Sequence, residues 1–483
     1  MKINLSDKNI LTDVRIIAVI KNEKIIGNFS KTEKRLIDNA IELEDFTGDE
    51  YQTLLIYDEQ PKQRLLLVGL GNGQELKSFH CMEAGANALN AIKKLKINSI
   101  SLEMNEKYLI PFLKGFLLAN YKFDKYLSKT KGKNPKTIEK ITIISKNKQE
   151  LPPIIEEIQE DNGLVNYVKD LVNMPAEDLG PEDFVKEVKK IKKNSRHIKL
   201  KIFDKAKIKK IGMGGLYAVG KGNNKGTYML ILEYKYKAKN NNPYVFVGKG
   251  ITFDTGGLNM KPSQFILNMH LDMAGAATVL GLFNKLTKDN IPGYFVGIIS
   301  VAENSVGPDS YKPNDILKMY SGHTVEIANT DAEGRLILAD ALAYACKNYK
   351  PEFIIDIATL TGAAIITFGY EITAFISTDK KLSNKIMQAS KRSNEMFWEL
   401  PMKKFHIKAT KGEKADITNA SDTMPCGTIM GGAFLANFVD KEIPWMHIDI
   451  AASAWLNKTR IKFHQAGATG VPLLTLFEFI KNL

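Results

Sequence analysis

Asn329-Thr330-Asp331-Ala332-Glu333-Gly334-Arg335-Leu336 joins a segment that alternates like a strand, His323 to Asn329, to a nearly all-apolar helical run, Leu336 to Cys346. Two carboxylates and a guanidinium occupy the alternate positions 331, 333 and 335. In an extended link of period two, those three side chains project to one side. The link also lies where the following helix opens, with free N–H groups and a partial positive charge. The grouping reads as a site for polyvalent ions. An ordinary capped helix is the alternative, since Asp and Glu are common in first turns.

A second cluster upstream weighs between them. Tyr244 to Val247 is a short apolar strand, followed by Gly248-Lys249-Gly250-Ile251-Thr252-Phe253-Asp254-Thr255-Gly256-Gly257, then Lys261, then Asp272 heading the helical run Met273 to Leu286. Glycines let the backbone turn sharply and approach a ligand. Lys249 and Asp254 are thereby expected just past a strand's carboxyl end, where open α/β sheets bind ligands. Asp254, Asp272, Asp331 and Glu333 supply oxygen ligands for two divalent cations if some carboxylates bridge. Such ligands suit Mg²⁺ and Mn²⁺, with Zn²⁺ also admissible. The seven histidines are scattered and no H-E-x-x-H occurs; His270, two residues from Asp272, would not face the same way on a helix.

Together the octapeptide and Val247–Gly257 resemble the leucyl aminopeptidase family, the dinuclear-metal cytosolic aminopeptidases also called aminopeptidase A in bacteria. Further matches are Leu171–Pro175, Gly212–Gly220, Ile357–Gly362, Trp445–Ala451 and Gly467–Gly470. The likeness is dense from about residue 165 to the end and weak before it. It implies a metal-dependent aminopeptidase that releases N-terminal residues, leucine and other apolar ones favoured, by attack of a water bridging two metal ions. Mn²⁺ or Zn²⁺ are the implied metals, with Mg²⁺ or Co²⁺ as substitutes. Lys249 and Asp272 would bind the looser metal, Asp254 and Glu333 would bridge, and Asp331 would complete the tighter site. Lys261 would polarise the peptide carbonyl, and Arg335 would hold a bicarbonate that shuttles a proton. Met269, Thr359, Leu360, Gly362 and Ala451 fall where the family contacts substrate. A homohexamer acting in the cytoplasm on peptides with a free N-terminus is also implied.

An amine ligates a metal only when neutral, whereas an unperturbed lysine titrates near ~10.4. A neighbouring dication and burial both favour the neutral form, so Lys249 is expected to be neutral and Lys261, kept off the metal, charged. The chain departs from the family at Ala274, at His270-Leu271, and in Ser421 to Gly432, where Cys426 and Met430 could reshape substrate access.

A chain of 483 residues, 44% hydrophobic and 25% charged, has the composition of a soluble globular protein with room for two or three domains. Three cysteines with no paired spacing suit a reducing compartment. The N-terminus lacks a signal pattern, and Phe353 to Tyr370 reads as a buried strand and a loop rather than a membrane span. Strand-like runs alternate with helical ones throughout. The expected fold is a small N-terminal α/β domain (1–160), a connecting helix (161–175) and a larger α/β/α sandwich catalytic domain (176–483) with a mixed, mostly parallel sheet. The basic stretch Ser128 to Lys136 reads as an exposed loop.

Two alternatives stay open. A net charge of +13, concentrated in lysines at 122–148 and 186–210, raises DNA as a partner, although solvated helix faces explain it more simply. Gly215 to Gly222 is a near miss to a phosphate-cradling loop, but Gly222 stands where the Mg²⁺-binding hydroxyl belongs, and a strand follows instead of a helix. Gly69-Leu-Gly71-Asn-Gly73 fails the dinucleotide spacing and reads as a strand-end turn.

Overall fold

The computed structural model describes residues 1–58, 63–128, 138–239, 241–420 and 424–483. The expected basic loop lies outside the described residues from 129 on, as do positions 421–423 of the divergent C-terminal stretch. The chain forms two units: Met1–Gly163 with Lys458–Gln465, and Leu164–Asn457 with Ala466–Leu483. The first boundary falls inside one helix, Leu151–Asn173, which starts earlier than the expected connecting segment. The excursion of Lys458–Gln465 into the first unit has no counterpart in the sequence reading.

The smaller unit carries a six-stranded sheet in the order Lys2–Ser6, Lys140–Ile144, Ser99–Glu103, Val14–Lys21, Gln63–Asn72, Thr53–Asp58, parallel except for the last pair. The expected strand-end turn at Gly69 to Gly73 is corrected: the strand runs on to Asn72, and Gly71, at φ +79°, lies at a bulge inside it, where Gly69 pairs with Val19 and Gly71 with Ile20. Arg15 is fully buried and held by Glu33 and Glu103.

The larger unit is built on eight strands in the order Met396–Glu399, Ile372–Ser377, Trp445–Asp449, Phe353–Ala358, Tyr244–Asp254, Gly293–Asn304, Tyr228–Tyr236, Ile198–Phe203. The four inner strands, Trp445–Asp449 to Gly293–Asn304, are mutually parallel and almost wholly buried. That burial explains their continuous apolar sequences. Alternation divides the strand Tyr244–Asp254 between two helical layers. Val245, Val247 and Ile251 join the core beneath helix Glu333–Tyr349. On the opposite face Gly248 abuts Ala276 of helix Ala274–Lys288, so closely that a Cβ would stand 2.8 Å from its Cα. The α/β/α sandwich with a mixed sheet is therefore observed.

Three further local expectations are corrected. Lys249 lies inside the strand Tyr244–Asp254 and Asp254 ends it, because apolar packing on both faces carries the strand through the glycines. The expected strand His323 to Asn329 shortens to Thr324–Glu326, part of a small separate sheet with Ile316–Lys318 and Ile417–Thr418. Residues 330–331 are a turn and the helix begins at Glu333, so 331, 333 and 335 are not one extended row. Elsewhere Phe353 to Tyr370 is the strand Phe353–Ala358 followed by a helix, Gly362–Phe368. Gly214–Gly220 is also helical, so that glycine-rich segment makes no phosphate loop.

Candidate metal centre

Lys249 and Asp254 share a strand but stand five residues apart, so strict alternation would put them on opposite faces. A bulge prevents this. Ile251 pairs with Ala302 and Asp254 with Asn304, three steps on one strand against two on the other. The extra residue re-aims Asp254 to the face of Lys249. Beyond it Gly256, at φ +87°, makes the turn that returns the chain to Lys261, whose amide donates to the Thr255 carbonyl at 2.9 Å. A Cβ on Gly256 would approach Asn259 O at 2.5 Å and the Lys261 nitrogen at 2.9 Å.

Asp254, Asp272 and Glu333 are all buried, and one carboxylate oxygen of each lies within 4.8 Å of the others. Two lysines thread this acidic cluster. Lys249 Nζ lies 2.7 Å from Asp272 Oδ2 and 2.9 Å from Glu333 Oε1, and donates to the Thr359 carbonyl at 2.8 Å. Lys261 Nζ lies 2.9 Å from Asp254 Oδ2 and 2.6 Å from Asp331 Oδ1. Asp331 thus joins the cluster through Lys261 rather than by direct approach to the other three. Glu333 opens its helix, where the dipole favours an anion.

Burial alone would depress the Lys249 amine, but the Asp272, Glu333 and Asp254 carboxylates outweigh it and hold the ammonium above the ordinary lysine range. Lys261 is raised in the same way, against burial, by Asp254, Glu333 and Asp331. The neutral Lys249 expected from sequence therefore requires a dication to take the place of its proton. Burial lifts the Asp272 carboxyl well above its usual range. Asp331 is pushed up to about 6, by burial and then by Asp254 and Glu333. Crowded carboxylates that resist ionisation are what a multivalent cation relieves.

The donor set fits divalent metal. It is all oxygen apart from the lysines, and Glu333 Oε2 is buried without a hydrogen-bond partner among the described residues. His270 is outside the cluster, its ring edge-on to Trp455 at 5.2 Å between centroids.

Arg335 is half-buried, donates from Nη1 to the Asn419 carbonyl at 2.6 Å and sits over the Phe434 ring. It borders a cavity of about 110 Å³ shared with Met424, Gly427 and Met430, so the divergent C-terminal stretch does reach this wall. Its Nε has no partner among the described residues. Of the nominated substrate contacts, Thr359 meets the cluster directly, its hydroxyl donating to Asp272 Oδ1 at 2.6 Å. Leu360 follows it in the link after the strand and Gly362 opens the next helix; Met269 starts the short 3-10 turn before Asp272, and Ala451 follows the strand Trp445–Asp449.

Several supporting residues escaped the sequence reading. Asn304 donates to Asp254 Oδ1 at 2.8 Å and to the Thr330 carbonyl at 3.2 Å. Thr330 donates to the Gly256 carbonyl at 2.7 Å and accepts the Asn259 amide at 2.8 Å, locking the octapeptide to the Lys261 turn. Following the strand from Gly293 through to Asn304 would have flagged Asn304 as a strand-end polar residue.

The model of the cytosol aminopeptidase family catalytic domain matches residues 166–477, and that of the family's N-terminal domain matches 18–130. A probable cytosol aminopeptidase of Protochlamydia amoebophila is 38% identical over 465 residues, covering 93% of this chain and 91% of that protein. One from Phytoplasma australiense is 33% identical over 474 residues, covering 97% and 95%. Among solved structures, a tomato leucine aminopeptidase mutant superposes with a TM-score of 0.86 at 28% identity, covering 100% of this chain and 97% of that one. The bottromycin maturation enzyme BotP in complex with Mn gives 0.85 at 25% identity, covering 98% and 99%.

Proposed function

The chain belongs to the cytosol aminopeptidase family and is a metal-dependent aminopeptidase, and on that premise we propose which of its side chains perform the reaction. The carrying observation is the buried meeting of Asp254, Asp272 and Glu333, threaded by two lysines. Asp254 and Glu333 would be shared by two divalent ions, with Lys249 and Asp272 holding one and Asp331 the other. Such a pair would lower the pKa of a water and stabilise the attacking and leaving oxygens.

Lys261 keeps its proton. Its ammonium polarises the scissile carbonyl and stabilises the charge that develops on that oxygen. Arg335 offers Nε and a planar fork beside a cavity, which supports capture of a bicarbonate next to the leaving amine. Thr359, Leu360, Gly362, Met269 and Ala451 hold the first substrate residue and its backbone. The half-buried Met269 and Leu360 support an apolar preference, leucine included.

Mn²⁺ is the favoured ion, since a structural relative is described with Mn and the donors are mostly oxygen. Zn²⁺, Mg²⁺ and Co²⁺ are the substitutes to be compared. A homohexamer is proposed from the family likeness, with support from Leu258, Met260, Phe265 and Leu267 exposed on one segment. A cytoplasmic location agrees with the relatives' descriptions, and among the described residues no helix is long and apolar enough to cross a membrane. Domain limits of 1–160, 161–175 and 176–483 remain our functional division of the chain.

The two alternatives gain no support. The phosphate-loop segment is helical, and the lysines of 186–210 include several engaged with acids, Lys186 with Asp183, Lys190 with Glu187 and Lys201 with Glu233. Dialysed protein reconstituted separately with Mn²⁺, Zn²⁺, Co²⁺ and Mg²⁺ should hydrolyse leucyl dipeptides with at least one of them. ATP hydrolysis without peptide cleavage would overturn the assignment.

A further inference from the structure

A carboxylate outside the acidic cluster holds the backbone on which that cluster leans. Asp449 ends the strand Trp445–Asp449 and is fully buried. Its Oδ1 accepts three amide N–H groups, from Leu360 at 3.1 Å, Thr361 at 3.4 Å and Ala451 at 3.1 Å. Its Oδ2 accepts the Thr361 hydroxyl at 2.6 Å, and that hydroxyl is also paired with Thr428 at 2.8 Å. Leu360 and Thr361 belong to the turn between the strand Phe353–Ala358 and the helix Gly362–Phe368. The neighbouring Thr359 touches both members of the Lys249–Asp272 pair: its carbonyl takes the lysine and its hydroxyl takes the aspartate.

We propose that Asp449 is a positioning residue of the metal centre, fixing Thr359 against Lys249 and Asp272 and tying that turn to the segment carrying Ala451. The inference rests on the reading of Lys249 and Asp272 as metal-site residues. Its physical basis is acceptor geometry. A short turn has few backbone bonds of its own, and a buried carboxylate oxygen is the one acceptor shared by three of the amides here. Without it, Thr359 loses the anchor one and two residues downstream and swings relative to the ion pair. Because Ala451 hangs on the same oxygen, one wall of the substrate pocket moves with it.

Asp449→Asn separates position from charge. The carboxamide oxygen keeps the three amides, the NH₂ donates to Thr361 Oγ1, and Thr361 turns its proton to Thr428. This variant should bind Mn²⁺ normally and keep leucine p-nitroanilide turnover within about threefold. Asp449→Ala should weaken the weaker Mn²⁺ site about tenfold by calorimetric titration and cut kcat/KM about 100-fold. Thr359→Val should cut it about tenfold, and the double variant should be no worse than Asp449→Ala, since both act through one contact. A double variant down about 1,000-fold, the product of the singles, would overturn the proposal. So would Asp449→Ala with unchanged Mn²⁺ affinity and turnover. If circular dichroism shows Asp449→Ala unfolded, Asp449→Asn decides: retained affinity and turnover support positioning, whereas a loss near 100-fold overturns it because the charge is then what the site uses. A wild-type protein that binds Mn²⁺ but cleaves nothing would sink the peptidase reading instead, and the calorimetric comparison would still judge Asp449.

Discussion

Gly334→Ala adds one methyl to the most crowded point of the octapeptide. An ideal Cβ there stands 2.4 Å from Lys249 Cε, 2.7 Å from Nζ and 2.9 Å from Cδ. Carbon atoms settle at about 3.5–4.0 Å, so the end of Lys249 must retreat by about 1 Å. It has nowhere neutral to go, because Nζ is held at 2.8 Å by the Thr359 carbonyl, 2.7 Å by Asp272 and 2.9 Å by Glu333. The backbone itself accepts the change, since Gly334 is already helical, in the first turn, where the preference for alanine over glycine is at most the interior value of about 1 kcal/mol. Breaking a buried ion pair costs about 3–5 kcal/mol, leaving a net loss of about 2–4 kcal/mol. A displacement of about 1 Å at a reacting centre lowers turnover by about 100-fold. Leucine p-nitroanilide hydrolysis in Mn²⁺ buffer, with metal content and a thermal melt on the same sample, reads all three effects. Gly163→Ala is the control, being a helical glycine with nothing within 4 Å. If Gly334→Ala kept full metal and wild-type kcat/KM, the fixed placement of the Lys249 ammonium could not be what the centre depends on.

The two lysines should part company on substitution. Lys249→Met should lose one bound metal by elemental analysis, whereas Lys261→Met should keep both and lose turnover by about 10²–10³-fold. Chelation should abolish peptide cleavage and lower the melting temperature, both restored by Mn²⁺; saturation at 100 times Kd corresponds to about 2.7 kcal/mol. Asp340 gives a pH signature away from the metals. It accepts the Leu216 and Tyr320 amides, yet burial pushes its carboxyl up to about 7. Between about pH 4 and 7 the folded chain keeps a proton that the unfolded chain releases, so stability falls as pH rises through that window and levels off above it. Asp340→Asn cannot ionise. Its stability deficit against wild type should therefore shrink from pH 4 to 7, by at most about 4 kcal/mol, and a deficit that widened would contradict the assignment.

Most of the inner strands were legible because burial on both faces leaves continuous Val, Ile and Phe runs, as in Phe353–Ala358. The identities of the clustered side chains were legible too, since four carboxylates and two lysines gathered at expected strand ends and helix starts are hard to explain one by one. Their geometry was less so. Sequence periodicity placed 331, 333 and 335 on one extended row, but the turn at 330–331 and the helix from Glu333 bring Asp331 and Glu333 to different lysines. Asn304 and Asp449 were passed over because an amide or a carboxylate that serves backbone groups looks, in sequence, like any other polar residue. The excursion of Lys458–Gln465 depends on contacts hundreds of residues away, which no local pattern encodes.

The bulge opposite Ala302 has a consequence for how this centre can vary. Whether Asp254 faces the side of Lys249 is decided by a count of residues, not by which ones fill positions 252 and 253. Substitutions there are free to drift as long as the core stays packed, but removing a single residue would turn the carboxylate to the opposite layer while leaving every ligand present in the sequence. A related chain with all the right letters and one fewer between this lysine and this aspartate would read as an enzyme and behave as a scaffold.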